Sequence, residues 1–134
     1  MGVAQQQSLF TLAEATALLP WLRVRLQRLQ ALKREHDDTV RRLAGMTPAM
    51  RSNGSAVLGA QLETRLDTLI QEIRDSLLEI TDVGVEVKDI DTGLVDFPAL
   101  RGSRVVYLCW RLGEETIGYW HELDAGFAGR QPLD

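Results

Sequence analysis

The sequence predicts an α+β fold in which a long antiparallel helical hairpin packs on a small antiparallel β-sheet. In the first 83 residues, apolar side chains recur every three or four positions, as in amphipathic helices. After Gly84 the period changes to two, and β-branched and aromatic residues become frequent. A length of 134 residues with 45% hydrophobic content suits one folded domain. We therefore expect a single domain over residues 1–134, with the hairpin at 10–83 and a β-rich C-terminal unit at 84–134.

The first helix is predicted to begin at a capping box. In the segment from Thr11 to Glu14, each of these two side chains is placed to accept a hydrogen bond from a backbone N–H that the first turn leaves unpaired. Pro20 lies inside the apolar stripe that follows and has no N–H, so we expect either a kink or two shorter helices there. The members of the stripe are Leu18, Leu22, Leu26, Leu29, Lys33, His36, Val40 and Leu43.

A second helix is predicted after a loop at residues 45–55, which is rich in glycine, proline and small polar residues. Gly84 follows its last turn, where a glycine is favoured. Two consecutive apolar stripes of similar length should face each other in an antiparallel hairpin. Such a hairpin serves as a structural arm, as a partner-binding rod or as half of a four-helix homodimer, and periodicity does not separate these roles. The second stripe comprises Leu58, Leu62, Leu66, Leu69, Ile73, Leu77 and Ile80.

Four extended segments are predicted in the C-terminal unit, at residues 85–90, 94–97, 104–111 and 116–121. Asp91-Thr92-Gly93 is typical of a turn, and Pro98 to Gly102 is predicted to be a loop. The sequence Leu112-Gly113-Glu114-Glu115 reverses the chain, so the last two strands should form a hairpin.

Composition limits the classes of function. The single cysteine, Cys109, excludes an internal disulfide framework, and no apolar run is long enough to span a membrane. The first seven residues lack the features of a signal peptide, so we expect a cytoplasmic protein. The net charge of −4 disfavours nucleic acid as a partner. The first helix is locally basic, but a solvated face explains this, and the hairpin offers only Trp21 for stacking on bases.

Candidate ligand-binding residues lie on the last two strands and in the tail. Alternation places Cys109 on one face of the third strand, and Tyr119 and His121 on one face of the fourth. Whether these faces coincide depends on the length of the turn. Arg130, in the glycine-containing tail, suits bidentate binding of a carboxylate or phosphate. The alternative is that Cys109 is a small buried hydrophobe and that the aromatic residues fill the interface between sheet and helices.

A metal site is the second hypothesis for this region. His121, Glu122 and Asp124 supply an imidazole and two carboxylates within four residues, and the acidic C-terminal half would favour a divalent cation. Glu114, Asp89, Asp91 and Cys109 are further ligand candidates. In a third hypothesis the protein is an enzyme, with His121 as general acid or base, Glu114 or Asp124 orienting it and Arg130 holding an anionic substrate.

Several motifs lie near the start of the chain and through the C-terminal unit, and the helices between them match mainly in pattern. The motifs lie at residues 10–12, 19–20, 87–98, 108–114 and 118–133, the last containing Gly118-Tyr119-Trp120-His121-Glu122. In these motifs the sequence resembles a bacterial family known only as a domain of unknown function, some members of which are labelled division initiation protein. The resemblance implies one domain, and it implies no established activity, substrate or catalytic residue.

The first hypothesis for function is an interaction or scaffold protein that acts through the helical hairpin on a protein partner or on a second copy. The sequence has no P-loop, no Rossmann glycine pattern and no CxxC motif. The alternative is a domain that binds a metal or a small ligand, or an enzyme, with its site around His121. A pocket enclosed by Cys109, Tyr119, His121 and Arg130 would favour this alternative, and their scatter over opposite faces would contradict it.

Overall fold

A computed structural model describes residues 9–52 and 54–134 and confirms the α+β fold. Two long helices form an antiparallel hairpin, which packs on an antiparallel sheet of five strands. The helices are α1 (Leu12–Ala44), the short α2 (Pro48–Ser52) and α3 (Ala56–Asp82), and a single 3-10 turn spans Phe127–Gly129. The strands are β1 (Glu86–Asp89), β2 (Leu94–Arg101), β3 (Arg104–Arg111), β4 (Tyr119–His121) and β5 (Gln131–Pro132).

The predicted capping box begins α1. Thr11 Oγ1 accepts a hydrogen bond from the Glu14 N–H at 3.0 Å, and Glu14 Oε1 accepts one from the Thr11 N–H at 2.9 Å. Pro20 does not divide the helix, which runs unbroken from Leu12, so the expectation of two shorter helices is wrong. The carbonyl that loses its partner belongs to Thr16, and both residues are exposed, so water can satisfy this carbonyl.

The two long helices pack along their apolar stripes. In α3 the buried residues Leu62, Leu69 and Ser76 are seven positions apart, which is the spacing of a helix that keeps one face against its partner. The helix ends as predicted, with Gly84 at φ +98° after the cap and its N–H donating to the Thr81 carbonyl. The sequence pattern therefore predicted both the pairing of α1 with α3 and the end of α3.

The sheet is a meander in the order β1-β2-β3-β4-β5, and its two faces differ in chemistry. The inner face packs on the hairpin and is apolar. The opposite face, here called the outer face, is mixed and carries polar side chains such as Asp96, Tyr107 and His121 beside apolar ones. The buried inner-face residues are Val95, Phe97, Ala99, Val106, Leu108, Trp110, Ile117 and Trp120, which form one core with Ala15, Leu19, Leu22, Leu26, Leu29, Ile80 and Val85.

The predicted loop at 98–102 is wrong, because β2 continues through Pro98 to Arg101 and pairs with β3 throughout. The N–H and C=O of one strand residue point to the same side. The Pro98 carbonyl accepts from the Phe10 N–H at 2.7 Å, on the side away from β3. The missing N–H would therefore point to that side too. The pairing of β2 with β1 ends at Asp96, so Pro98 has no strand partner on that side, and no hydrogen bond to β3 is lost.

The described contacts of the sheet with α1 reach as far as Lys33. Gln30 Nε2 donates to the carbonyls of Ile90 and Asp91, and Lys33 Nζ lies 3.0 Å from an Asp91 carboxylate oxygen. The helix continues to Ala44, a further distance of about 16 Å. Residues 34–44 of α1 and 56–70 of α3 are called the arm below. Within the described ranges, no helix is long and apolar enough to cross a membrane.

Candidate functional site

A buried polar cluster lies on the outer face of the sheet. Asp96 on β2, Cys109 on β3 and His121 on β4 are 2%, 0% and 1% exposed. Strand register places Asp96 opposite Cys109, and Cys109 opposite Tyr119, two residues from His121. One potential metal-ligating atom from each of the three cluster residues lies within 4.8 Å of the others. Three side chains that rarely occupy a protein interior together therefore converge on one point.

Both ring nitrogens of His121 face acceptor atoms. Nδ1 lies 2.7 Å from the Glu122 carbonyl oxygen, which can only accept, so Nδ1 carries a proton and donates it. Nε2 lies 3.0 Å from Asp96 Oδ1. If the imidazole were neutral and Asp96 ionised, two lone pairs would face each other across this gap. The gap must therefore hold a positive charge, either a proton or a metal ion.

Burial shifts the pKa values of the other two members of the cluster. Loss of solvation raises the pKa of Asp96, which the hydrogen bond to His121 opposes without reversing. Burial likewise raises the pKa of Cys109 to about 11, against the lowering effect of the neighbouring Arg130. In the metal-free protein the thiol is therefore protonated at neutral pH, and Cys109 has none of the thiolate character that a nucleophilic cysteine requires.

The predicted ligand residues Tyr119 and Arg130 join this face at its edge. The Arg130 guanidinium stacks 3.8 Å from the Tyr119 ring centroid and 4.4 Å from that of Phe127. Its Nη2 lies 2.6 Å from Glu114 Oε2, and its Nη1 lies 3.9 Å from Cys109 Sγ. Binding of an anion by Arg130 stays a prediction, and it would require exchange of Glu114 for that anion.

A cavity of about 170 Å³ adjoins the cluster on its solvent side. By the volume that a water molecule occupies in the liquid, this space holds roughly five or six waters. Of the four residues predicted to enclose a pocket, only His121 lines this cavity, and Cys109, Tyr119 and Arg130 do not. Its lining residues are Lys88, Leu94, Asp96, Tyr107, His121, Leu123, Gly126 and Phe127.

The carboxylates proposed with His121 as metal ligands point elsewhere. Glu122 Oε2 lies 3.0 Å from Arg104 Nη1, and only the main-chain carbonyl of Glu122 contacts the imidazole. Asp124 is exposed. The ligand set of His121, Glu122 and Asp124 stays a prediction, whereas the geometry brings His121 together with Asp96 and Cys109.

Asp96 is the site residue that the sequence motifs did not single out. It stands in the run Leu94-Val95-Asp96-Phe97-Pro98, where every other residue is apolar. An acidic residue inside a strand that is buried on both faces needs a partner, because an unpaired buried charge is costly. The acidic residue within an apolar run was visible in the sequence. Because a loop was predicted from residue 98, however, the strand appeared too short to be a central strand of the sheet.

A second candidate surface lies on the arm. Val40 follows the buried Leu22 by eighteen residues, about five turns, so it continues the face of α1 that packs on the sheet. Ile70 likewise precedes Leu77, which packs against the core, by about two turns. These side chains are exposed: Val40 is 41% and Ile70 39% accessible to solvent. Val40, Ile70 and the half-buried Leu66 are called the arm surface.

These features define a small α+β domain with a projecting helical arm and a buried acid–thiol–imidazole cluster. A model of the family described as an uncharacterized conserved protein (DUF2203) matches residues 8–133, and the chain belongs to this family. The family that the sequence motifs suggested is thereby confirmed. Comparison with curated proteins and with solved structures found no match.

Proposed function

We propose that the protein is an interaction protein whose arm pairs with the arm of a second copy. The observation that carries the proposal is the arm surface, because the side of the hairpin that forms the core continues past the sheet with nothing packed on it in the described chain. Covering it with the same surface of another molecule would bury apolar area that one chain leaves in water.

The charges around Val40 favour a second copy over an unrelated partner. Asp37 and Asp38 precede Val40, and Arg41 and Arg42 follow it directly. A two-fold axis near Val40 runs the two α1 helices antiparallel and brings Asp37 of one copy near Arg41 of the other, on the flank of the Val40 face. A self-complementary surface of this kind is what an isologous dimer requires.

The ion pairs already present within one chain leave these charges available. Asp38 and Arg41 contact each other at 3.4 Å, but their side chains are 65% and 71% exposed. Asp37 is held more closely, by Lys33 Nζ at 3.1 Å and His36 Nδ1 at 2.9 Å, and is 41% exposed. Exposed pairs of this kind contribute little to stability, so a partner can recruit them at little cost.

Sedimentation equilibrium over a concentration series tests the dimer. The wild-type protein is expected to dimerise at micromolar concentration, and Val40→Glu and Ile70→Glu should each weaken dimerisation at least tenfold by placing charge in the interface. Leu78→Glu is the matched control, because Leu78 is also an exposed aliphatic side chain of α3, at 51%, but lies outside the arm surface.

Charge reversal tests the two-fold arrangement itself. Arg41→Glu with Arg42→Glu places acid against acid and should weaken the dimer, and adding Asp37→Arg with Asp38→Arg restores opposite charges and should restore it. A monomeric wild-type protein at tens of micromolar would contradict the proposal. A dimer that tolerates both Val40→Glu and the arginine reversal would place the interface elsewhere and would contradict it as well.

Ligand binding on the outer face is the second candidate function. The observation that favours it is the buried cluster of Asp96, Cys109 and His121 beside a cavity, since clustered ionisable groups beside a cavity often mark a binding or catalytic site. Elemental analysis for all first-row transition metals, with protein purified without chelator or metal-affinity steps, tests this candidate. Metal-free protein would exclude a metal as the ligand of this site.

A further inference from the structure

We infer that Asp96 Oδ1, Cys109 Sγ and His121 Nε2 bind one Zn²⁺ ion, with a fourth coordination position toward the cavity lined by Lys88 and Tyr107. This inference rests on the second candidate function and names its ligand. It is independent of the arm and of dimerisation.

The three donor atoms suit zinc in type. Zinc binds thiolate sulfur, imidazole nitrogen and carboxylate oxygen, and it commonly takes three protein ligands when a fourth position is left for water. Calcium and magnesium take oxygen ligands almost exclusively, so the thiol and imidazole select against them. Each donor lies on a different strand of one sheet, which holds the three at fixed spacing.

The hydrogen bond from His121 to the Glu122 carbonyl supplies an independent indication. It fixes the proton on Nδ1 and turns the lone pair of Nε2 toward Asp96. A backbone carbonyl that holds the second nitrogen of a histidine is a common support of metal-ligating histidines. A Zn²⁺ ion would supply the positive charge that the gap between Nε2 and the carboxylate requires.

The dimensions of the cluster are close to those of a zinc site. Tetrahedral bonds of about 2.0–2.3 Å separate neighbouring ligand atoms by about 3.3–3.6 Å. The Nε2 to Oδ1 distance is 3.0 Å, and all three atoms lie within 4.8 Å of one another. The adjustment needed is on the order of 1 Å, which side-chain rotation provides.

Charge balance also fits a divalent ion. Zinc deprotonates a coordinating thiol, so its two charges would be neutralised by one thiolate and one carboxylate. The neighbouring charges are already paired among themselves, with Arg130 on Glu114 and Lys88 on Glu86. The bound site would therefore be neutral within a largely buried environment, which avoids the cost of burying a net charge.

The cavity determines what the fourth position receives. Asp96 and His121 line it together with Tyr107 and Phe127, so an ion between the first two is accessible from that side. With room for roughly five or six waters, the cavity admits water or a small ligand to the ion.

Metal content measured by mass spectrometry tests the inference, with protein from zinc-supplemented cultures purified without chelator. About one zinc per chain is expected in the wild type, and below one-tenth of that in Asp96→Asn and His121→Ala. Asp124→Asn is the matched control, since this exposed carboxylate lies outside the cluster, and it should retain full zinc. Zinc lost in Asp124→Asn and retained in Asp96→Asn would overturn the ligand set.

Cobalt substitution distinguishes the loss of a metal ligand from a failure of the variant to fold. Co²⁺ added to chelator-treated wild-type protein should give the visible bands of a four-coordinate ion and a thiolate charge-transfer band. Cys109→Ser should lose the charge-transfer band, with circular dichroism confirming its fold. Folded wild-type protein that binds neither zinc nor cobalt would overturn the inference and leave only a non-metal ligand for the second candidate, and another metal at full occupancy would overturn only zinc.

Discussion

At the scale of single residues, Arg130 shows how one side chain fastens the C-terminal segment to the sheet. Its guanidinium stacks on Tyr119 of β4 and on Phe127 of the tail, and it forms two hydrogen bonds with Glu114, at 2.6 and 3.4 Å. Glu114 in turn accepts from the Arg111 N–H at 2.9 Å. A planar group with several donors serves all these contacts at once, which a lysine could not.

The stability that the ion pair of Glu114 with Arg130 contributes should depend on pH. Burial alone would raise the pKa of Glu114, but the hydrogen bonds from Arg130 and the Arg111 N–H lower it below the ordinary 4.5. The folded state therefore binds the proton less tightly than the unfolded state, so the stabilisation is complete above pH 4.5 and is lost as the pH falls through the lowered pKa.

Replacement of Glu114 by Gln tests this dependence. Glu114→Gln should lower the free energy of unfolding by about 1.5–3 kcal/mol at about pH 7, with a smaller difference from wild type below about pH 4.5. Urea titrations at several pH values measure it. Glu115→Gln, at the exposed neighbour, should change little. A difference between Glu114→Gln and wild type that stays constant down to about pH 3 would show that the ion pair does not contribute.

Cys109 should be unreactive while the metal-free protein is folded. A thiol with its pKa raised to about 11 is ionised to roughly one part in a thousand at pH 8, against about one quarter for an ordinary cysteine, so reaction with a disulfide reagent should slow at least about 200-fold. Absorbance of the released thiolate, compared between native and urea-unfolded protein, measures it. Equal rates in the two states would contradict the burial of this side chain.

At the scale of elements, the turn between β1 and β2 depends on one glycine. Gly93 has φ +68°, and a Cβ atom built there would lie 2.5 Å from the Leu112 Cβ. Its carbonyl accepts from the Leu112 N–H at 3.0 Å, which holds the turn against the end of β3. The turn therefore needs glycine for its backbone conformation and also for the close approach.

A matched pair of substitutions separates these two requirements. Gly102 has φ +65° in the turn between β2 and β3, and a Cβ added there would meet nothing within 4 Å. Gly102→Ala should cost about 1–2 kcal/mol from conformation alone, and Gly93→Ala about 2–4 kcal/mol because the contact with Leu112 is added. Urea denaturation measures both. Equal costs would mean that Leu112 moves aside freely.

Local signals in the sequence predicted where the helices end and which side chains of a strand share a face. Long-range contacts determined the extent of β2 and the partners of its buried residues. The capping box at Thr11 and the placement of Tyr119 and His121 on one face of β4 depend on neighbours or on strict alternation, so they could be predicted. The pairing of Cys109 with Tyr119 could not, because it depends on the length of the turn between β3 and β4. From its neighbours in the sequence alone, Pro98 indicates a loop. It lies in a strand because β2 pairs with β3 throughout, and its carbonyl accepts from Phe10, far away along the chain. The partners of Asp96 likewise come from two other strands.

At the scale of the whole molecule, the hairpin is supported unevenly along its length. Near the sheet, α1 is covered by α3 and by the inner face, and Leu22, Leu26 and Leu29 are fully buried. In the described part of the arm the two long helices pack chiefly on each other, and Arg65 forms a bidentate hydrogen bond with Glu35 at 2.7 and 2.8 Å. Two-helix units of this length are marginal alone, so the arm should open more readily than the rest.

Hydrogen exchange measured by mass spectrometry should resolve this difference. At a concentration that keeps the protein monomeric, backbone amides of residues 34–44 should exchange at least tenfold faster than those of residues 15–29, because their helical hydrogen bonds break in a local opening that leaves the core intact. If arms pair as proposed, raising the concentration should slow exchange in the arm selectively. Ile70→Glu should abolish that concentration dependence while leaving residues 15–29 equally protected. Uniform protection along α1 at all concentrations would mean that the arm is stable without a partner, and the apolar surface around Val40 would then need another explanation.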